Sequence, residues 1–422
     1  MNSLVRSTHH RCRYGSLAAL TVGLLVSVPA GAAPPGLGSA PGPNDPPAQP
    51  AKLGAGVSMK ASLDKGLSID RDDGLFGLQL GFLTQLRYDV GLDETATVKR
   101  NELSVKLARL ALRGHVLRPW LRVLFQPELA GPTPRLLDLE VDVQPVPELG
   151  VKAGQMVVPF SRAYMTPVAK LQLFGFSLAN DTFRANRDTG AMAYGFLFDS
   201  HVEYYAGVFN GNGINQAAND NTSLLWVGRL AATLAGAPTK PTGHVVYDET
   251  EGLAGPLPFT WRIGVGAYGD DITKTVAPPP SPPPSTGGDP QRPTTSLDEQ
   301  LTMGVDSSIR AGNFSAQAEG YLRRELVDAN AAAWTFGADV QASYFLVPRL
   351  LELGARQSVL VQNENIPAKR ARGITYEGQL VYYPAGNHLK VAARYVYSDV
   401  QSPVDGYTGR GHLATIQTQL WF

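Results

Sequence analysis

Along sixteen separate stretches of this chain every second residue is apolar, and that repetition constrains the fold more than any other feature. Phe76, Leu78, Leu80, Phe82, Leu86, Tyr88 and Val90 alternate with Gly77, Gln79, Gly81, Gln85, Arg87 and Asp89; Leu83 is the exception. Successive side chains of a strand point to opposite faces, so this is a ribbon with one oily and one wet side. The pattern returns in Leu137, Leu139, Val141 and Val143, in Trp334 through Leu346, and in Leu389 through Tyr397. The segments are 75–90, 103–116, 119–126, 136–143, 149–157, 188–198, 201–209, 223–234, 260–269, 299–310, 313–324, 333–346, 349–361, 372–383, 388–398 and 412–422. Most come near the roughly 9–11 residues that a tilted strand needs to cross a bilayer.

The connections alternate in length, as they do in membrane barrels with short turns on one side and longer loops on the other. Leu117-Arg118, Asp199-Ser200, Ala311-Gly312, Val347-Pro348 and Pro384-Ala385-Gly386-Asn387 are short, whereas 91–100 and 158–187 are long. Residues 235–259 break the rule: they fall on the short-turn side yet run 25 residues. A soluble sandwich also alternates, but sixteen half-apolar strands would demand a very large dry core. The segment Ile416 to Phe422 ends on Trp421-Phe422, which suits an aromatic at a membrane interface. Beyond residue 32 there is no run of 18 apolar residues, so no helix span is expected. In hydrocarbon every backbone polar group needs an internal partner, which leaves a closed barrel. The expectation is all-β: a 16-stranded antiparallel transmembrane β-barrel, wide enough to hold an aqueous channel.

Residues 1–32 read as a secretory signal: Arg6, Arg11 and Arg13, then the apolar Leu17 to Val28, then Ala30-Gly31-Ala32. Residues 33–56 are rich in Pro, Gly and Ala and are expected to be a periplasmic linker, leaving 57–422 for the barrel. The 37 Lys and Arg balance the 37 Asp and Glu, which excludes a basic nucleic-acid binder. Loss of residues 1–32 removes three Arg and the single Cys, Cys12, so the remainder carries a net charge of −3. With no thiol left, neither a disulfide framework nor a Cys-rich metal site is available, and no cofactor is expected.

Four stretches resemble the phosphate-selective porin O and P family. They are Asp72-Asp73-Gly74-Leu75-Phe76 leading to Gln85 and Arg87; Leu103 to Gly114; Pro145 to Arg162, including Gly154-Gln155-Met156-Val157-Val158-Pro159-Phe160; and Asn186-Arg187-Asp188-Thr189-Gly190 with Val202 to Gly213. The resemblance implies an outer-membrane porin in a lipid bilayer, usually a homotrimer. It implies passage of small anionic solutes, often phosphate or polyphosphate, with the third outer loop folded inward. The chain departs from the family at Lys106-Leu107, where consecutive Arg are usual, and at Gly175-Phe176-Ser177, where an acidic–Arg pair is usual.

Porin selectivity is set by charge at a constriction. The candidate is loop 158–187, which carries Arg162, Lys170, Arg184 and Arg187 against Asp181 and Asp188. Its Leu171, Leu173, Phe174, Phe176 and Leu178 need a surface to bury against, and the barrel wall is the one available. On the strands, Lys106, Arg113 and Arg122 fall on wet positions; a phase shift near Leu107 to Leu110 leaves the direction of Arg109 open and allows a bulge. A charge facing lipid at mid-membrane costs about 2–4 kcal/mol, so these bases belong in water. The expected pore-lining group is Arg162, Lys170, Arg184, Arg187, Lys106, Arg109, Arg113 and Arg122, with Asp138, Glu140 and Asp142 able to form an opposing wall. This describes a passive diffusion pore with a mild anion preference. Two other readings stand beside it: a non-selective or plugged structural or adhesive barrel, and an outer-membrane hydrolase. Against the last, His115, His201, His244, His388 and His412 lie in no Gly-x-Ser-x-Gly or His-Glu-x-x-His context. Loop 271–298 carries Pro278 to Pro284, a polyproline segment read as an inert outer loop.

Overall fold

The computed structural model describes residues 51–54, 56–63, 66–216, 218–238, 247–276, 294–328, 331–362, 372–402 and 407–422. The signal segment 1–32, most of the linker 33–56 and the polyproline segment lie outside the described residues.

Three short strands come first, β1 (Ala51–Gly54), β2 (Val57–Ser62) and β3 (Gly66–Arg71). Next are β4 (Phe76–Asp93), β5 (Val98–Val116), β6 (Leu121–Glu128), β7 (Arg135–Val146) and β8 (Leu149–Val157). Two short helices follow, α1 (Arg162–Met165) and α2 (Leu178–Phe183). Then come β9 (Arg187–Leu197), β10 (Val202–Phe209), β11 (Leu225–Ala235), β12 (Leu257–Val276), β13 (Thr294–Gly312) and β14 (Phe314–Asp328). The last are β15 (Ala331–Val347), β16 (Leu351–Gln362), β17 (Arg372–Tyr382), β18 (Pro384–Asn387), β19 (Leu389–Ser402) and β20 (Tyr407–Trp421).

Sixteen of these, β4 to β17 with β19 and β20, pair antiparallel in chain order. β20 returns to β4, from Gly411 opposite Asp93 to Trp421 opposite Leu83, and closes the barrel. Every alternating segment of the sequence has its strand. The ladder between β12 and β13 reaches Val276 opposite Thr294, so the ends of the expected loop 271–298 are strand. The meander β1–β3 was not foreseen. It joins the barrel where β3 pairs with Gly77 to Leu80 of β4, below the end of β20. Its segments are short and weakly alternating, and β1 lies inside the expected linker.

Burial is inverted relative to a soluble protein. On β16, Glu352, Arg356 and Ser358 are buried while Leu353 and Val361 are about half exposed. On β14, Gln317, Glu319 and Tyr321 are buried and Phe314 is exposed. The oily residues face outward, where lipid covers them, and the ladders satisfy the backbone without water. Among the described residues no helix is long and apolar enough to cross a membrane.

The phase shift in β5 has a physical cause. Gln85 faces Leu107 and Leu86 faces Val105, which leaves Lys106 as an extra residue in a bulge. Beyond it Arg109 stands opposite Leu83, whose side chain is buried on the inner face. Leu83, the exception to the alternation in β4, is therefore a wall residue beside the base whose direction the sequence left open.

Candidate functional site

The segment between β8 and β9 is tied to the polar inner face of strands far from it around the ring. Ser161 and Ser177 cap α1 and α2 by accepting from the Tyr164 and Asn180 amides. The same hydroxyls donate to Glu319 at 2.9 Å and Asp339 at 2.7 Å. The amides of Ala163, Phe174 and Ala179 donate to Glu319, Gln379 and Ser358. Leu171, Leu173, Phe174, Ala179 and Phe183 are buried, and Phe183 stacks on Tyr321 with ring centres 5.3 Å apart. The loop's apolar residues thus find the wall surface they require.

Wall cations secure the loop's carbonyls. Lys390 Nζ, fully buried, donates to Leu171 O at 2.8 Å and Ala169 O at 3.1 Å. Arg356 donates to Gly175 O, Arg323 to Thr182 O and Arg229 to Phe160 O, each at 3.0 Å. Hydrogen bonds to charged groups contribute about 1.5–3 kcal/mol each, so this set is a firm anchorage. It also occupies the charge of the wall from β11 to β19: Arg229 pairs with Asp306, and Arg356 and Arg394 with Glu377.

On the other side of the loop lies a cavity of about 1180 Å³. Arg109, Arg113, Arg122, Arg135 and Lys152 line it from the wall, and Lys170, Arg184 and Arg187 from the loop and its exit. Asp70, Asp138 and Glu140 are its acidic lining residues among the described residues, beside these eight bases. Most bases have partners: Arg109 with Glu128 (2.8 Å), Arg122 with Asp142 (2.8 Å), Lys152 with Glu140 (3.1 Å) and Arg187 with Asp138 (2.9 Å). Arg184 pairs with Asp181 and Lys170 with Asp248. Arg113 has neither an ion pair nor a hydrogen-bond partner among the described residues, and it faces the open cavity.

Six of the eight expected lining residues, Arg109, Arg113, Arg122, Lys170, Arg184 and Arg187, therefore share one cavity. Lys106 does not line it; the bulge sets it farther along β5, exposed and beside Arg87 and Asp89. Arg162 is a correction. It is 2% exposed and lies over the Tyr247 ring at 4.3 Å, because the first turn of α1 aims it away from the cavity. A second correction concerns Asp138, Glu140 and Asp142, which do not oppose the bases from across the channel. They pair with their neighbours on the same wall. Arg135 was missed because an irregularity at Gln126/Pro127 in the β6–β7 pairing breaks the alternation beside it.

The sequence also gave no account of residues 247–255, part of the long connection on the short-turn side. Tyr247, Glu249 and Thr250 are buried. Tyr247 Oη donates to Glu203 at 2.9 Å. Glu249 accepts from the Gln172 amide, Gln317 and Gln341. Asp248 meets Lys170 at 2.5 Å. Burial alone would raise the Asp248 carboxyl, yet the Lys170 ammonium and the Thr250 hydrogen bonds hold it below the usual carboxylate range. The anomalous length of the connection was the one signal for this segment.

A closed antiparallel barrel, oily outside and polar inside, with a charged cavity along its interior, defines an outer-membrane porin. The chain belongs to the phosphate-selective porin O and P family, whose match spans residues 79–422. No curated protein sequence matches it. Its fold is similar to the anion-selective porin from Comamonas acidovorans (TM-score 0.54, 13% identity, covering 82% of this chain and 100% of that one). It is also similar to the trimer form of the Vibrio cholerae outer membrane protein OmpT (0.54, 12%, 82% and 99%). A third similar structure is the outer membrane channel DcaP of Acinetobacter baumannii (0.53, 10%, 84% and 99%).

Proposed function

We propose that this porin is a passive diffusion channel with a mild preference for small anions, and that the segment 158–186 is its inward-folded constriction loop. The observation that carries the reading is the separation of charge by the loop. The carboxylates of the wall from β13 to β17 are taken up in holding it or in pairing beside it, whereas on its other face six of the eight cavity bases are ion-paired and two, Arg113 and Arg135, have no acid partner among the described residues, which leaves a small positive excess. In a water-filled conduit narrower than a few Debye lengths, about 8 Å each at physiological salt, such an excess biases which ions enter. The family's name and the anion-selective neighbour support the same direction. Arg in the lining suits phosphate, since its fork donates two parallel hydrogen bonds. The reading includes export by the signal at 1–32, a periplasmic linker before the barrel, assembly as a homotrimer and no catalytic role. The test is reversal potential across a planar bilayer in a chloride gradient, with phosphate added as a competing blocker. A potential of the anion-permeable sign and a phosphate-dependent drop in chloride current are expected. A cation-permeable sign defeats the preference, and an absent conductance defeats the channel.

A further inference from the structure

The pair formed by Lys170 and Asp248 differs from the other ion pairs of the cavity in where its acid comes from. The wall bases Arg109, Arg122 and Lys152 pair with carboxylates of neighbouring strands, Glu128, Asp142 and Glu140. Lys170 is answered by Asp248, in the described part, 247–256, of the connection between β11 and β12 on the short-turn side. Its residues 250–254 stay at that end: Asn387 donates to Thr250 Oγ1, and Arg349 donates to Ala254 O at 2.7 Å. Residues 247–249 go deeper, to Glu203, Gln317, Gln341 and the loop itself.

Asp248 is held in place before any solute arrives. Its Oδ1 accepts from the Thr250 amide at 2.8 Å and the Thr250 hydroxyl at 2.7 Å, which leaves Oδ2 for Lys170. The backbone on either side is fixed, since the Glu249 amide donates to Lys170 O at 3.1 Å and Arg310 donates to Asp248 O at 2.6 Å. The pair is not sealed away, because the two side chains keep 21% and 23% of their exposure and Lys170 lines the cavity. Two opposite charges 2.5 Å apart present a short dipole to a passing ion, and a dipole's field fades much faster than that of a single charge. Removing either partner converts it into a bare charge on the conduit wall.

We infer that Asp248 is a specificity-determining residue: carried in on the 247–255 segment, it cancels the charge of Lys170 and so limits how strongly the channel favours anions. The inference rests on the reading that the cavity conducts.

The test is a charge cycle read as the anion-to-cation permeability ratio in planar bilayers, using wild type, Asp248→Asn, Lys170→Gln and the double variant in a potassium chloride gradient. At low salt, a unit charge within about 8 Å of the ion's path alters the ratio by about twofold. Asp248→Asn is expected to raise the ratio by that factor, Lys170→Gln to lower it, and the double variant to return near wild type. Asp248→Glu, which keeps the charge, is expected to leave the ratio in place. At 1 M salt, where the screening length is about 3 Å, the differences should shrink. Single variants that alter noise or conductance without moving the ratio in opposite directions would show a purely structural strut and overturn the assignment. So would a double variant that fails to return. If Asp248→Asn does not assemble, Lys170→Gln decides alone, because it leaves Asp248 bare and an unmoved ratio then refutes the inference. The sign of the wild-type potential reports separately on the proposed anion preference. A cation-selective wild type with opposite shifts in the two variants would defeat that preference and leave the role of Asp248 standing.

Discussion

The two halves of the barrel interior have similar chemistry and opposite uses. Arg, Lys, Glu and Asp project inward from β11 to β19 and equally from β4 to β9. On the first wall the cations bind loop carbonyls and the acids bind loop hydroxyls and amides, so the charges become internal anchors. On the second they line the cavity, and their pairing is incomplete. The difference teaches that a tally of lumen charges says little about selectivity. What matters is which wall the loop covers, because a charge that is ion-paired and set behind the loop acts on the conduit less than one left open to it.

The largest expected effect lies on the covered wall. Lys390→Met removes a fully buried ammonium that satisfies two loop carbonyls and sits 4.7 Å from the Phe174 ring centre. Leaving Leu171 O unpaired, and Ala169 O with Gln419 at 3.2 Å alone, should cost about 3 kcal/mol. Thermal unfolding in detergent should show a lower midpoint, and single-channel records should be noisier as the loop loosens. Arg356→Gln, which breaks the Glu377 pair and the bonds to Gly175 O and Phe176 O, should have the same signature at about 2 kcal/mol.

Arg113→Gln tests the open wall. Having no partner to leave unpaired, it should leave the unfolding midpoint unchanged and lower the anion-to-cation permeability ratio by about twofold at low salt. If Arg113→Gln destabilises the barrel, or Arg356→Gln shifts selectivity without altering the loop, the contrast between the walls is broken.

The smallest effect concerns pH. The Asp248 carboxyl is held below its usual range, so it stays charged, and keeps cancelling Lys170, as pH falls from 7 to about 5. The difference in permeability ratio between wild type and Asp248→Asn should therefore be constant over that interval. It should close only under more acidic conditions, when protonation makes the wild type resemble the variant. Reversal potentials at stepped pH give the comparison directly.

How much of this the sequence disclosed follows from what alternation encodes. Period two separates inside from outside, so the sixteen strands, the inward Arg113 and Arg122, and a phase shift read near Leu107 to Leu110 were legible, whereas the bulge itself sits at Lys106. The same signal carries no information about position around the ring. That Ser161 meets Glu319, a residue 158 positions away, depends on closure and was invisible. The direction of Arg162 depends on one turn of helix packed against Tyr247, a residue in a connection with no alternation to interpret. The strands β1–β3 were too short to register, and residues 247–255 showed only as a length that broke a rule.

The seam between β4 and β20 has a consequence for how the molecule is made. Gln85 and Gln419, which meet there at 2.8 Å, are 334 residues apart in the chain. Until the last strand is in place, a folding intermediate has two raw edges of unpaired backbone, which lipid cannot solvate and other polypeptides would readily join. Insertion therefore has no stable halfway point. A molecule deprived of its final strand would be not a narrower pore but an unsealed, sticky sheet, and quality control at the membrane has an all-or-nothing event to monitor.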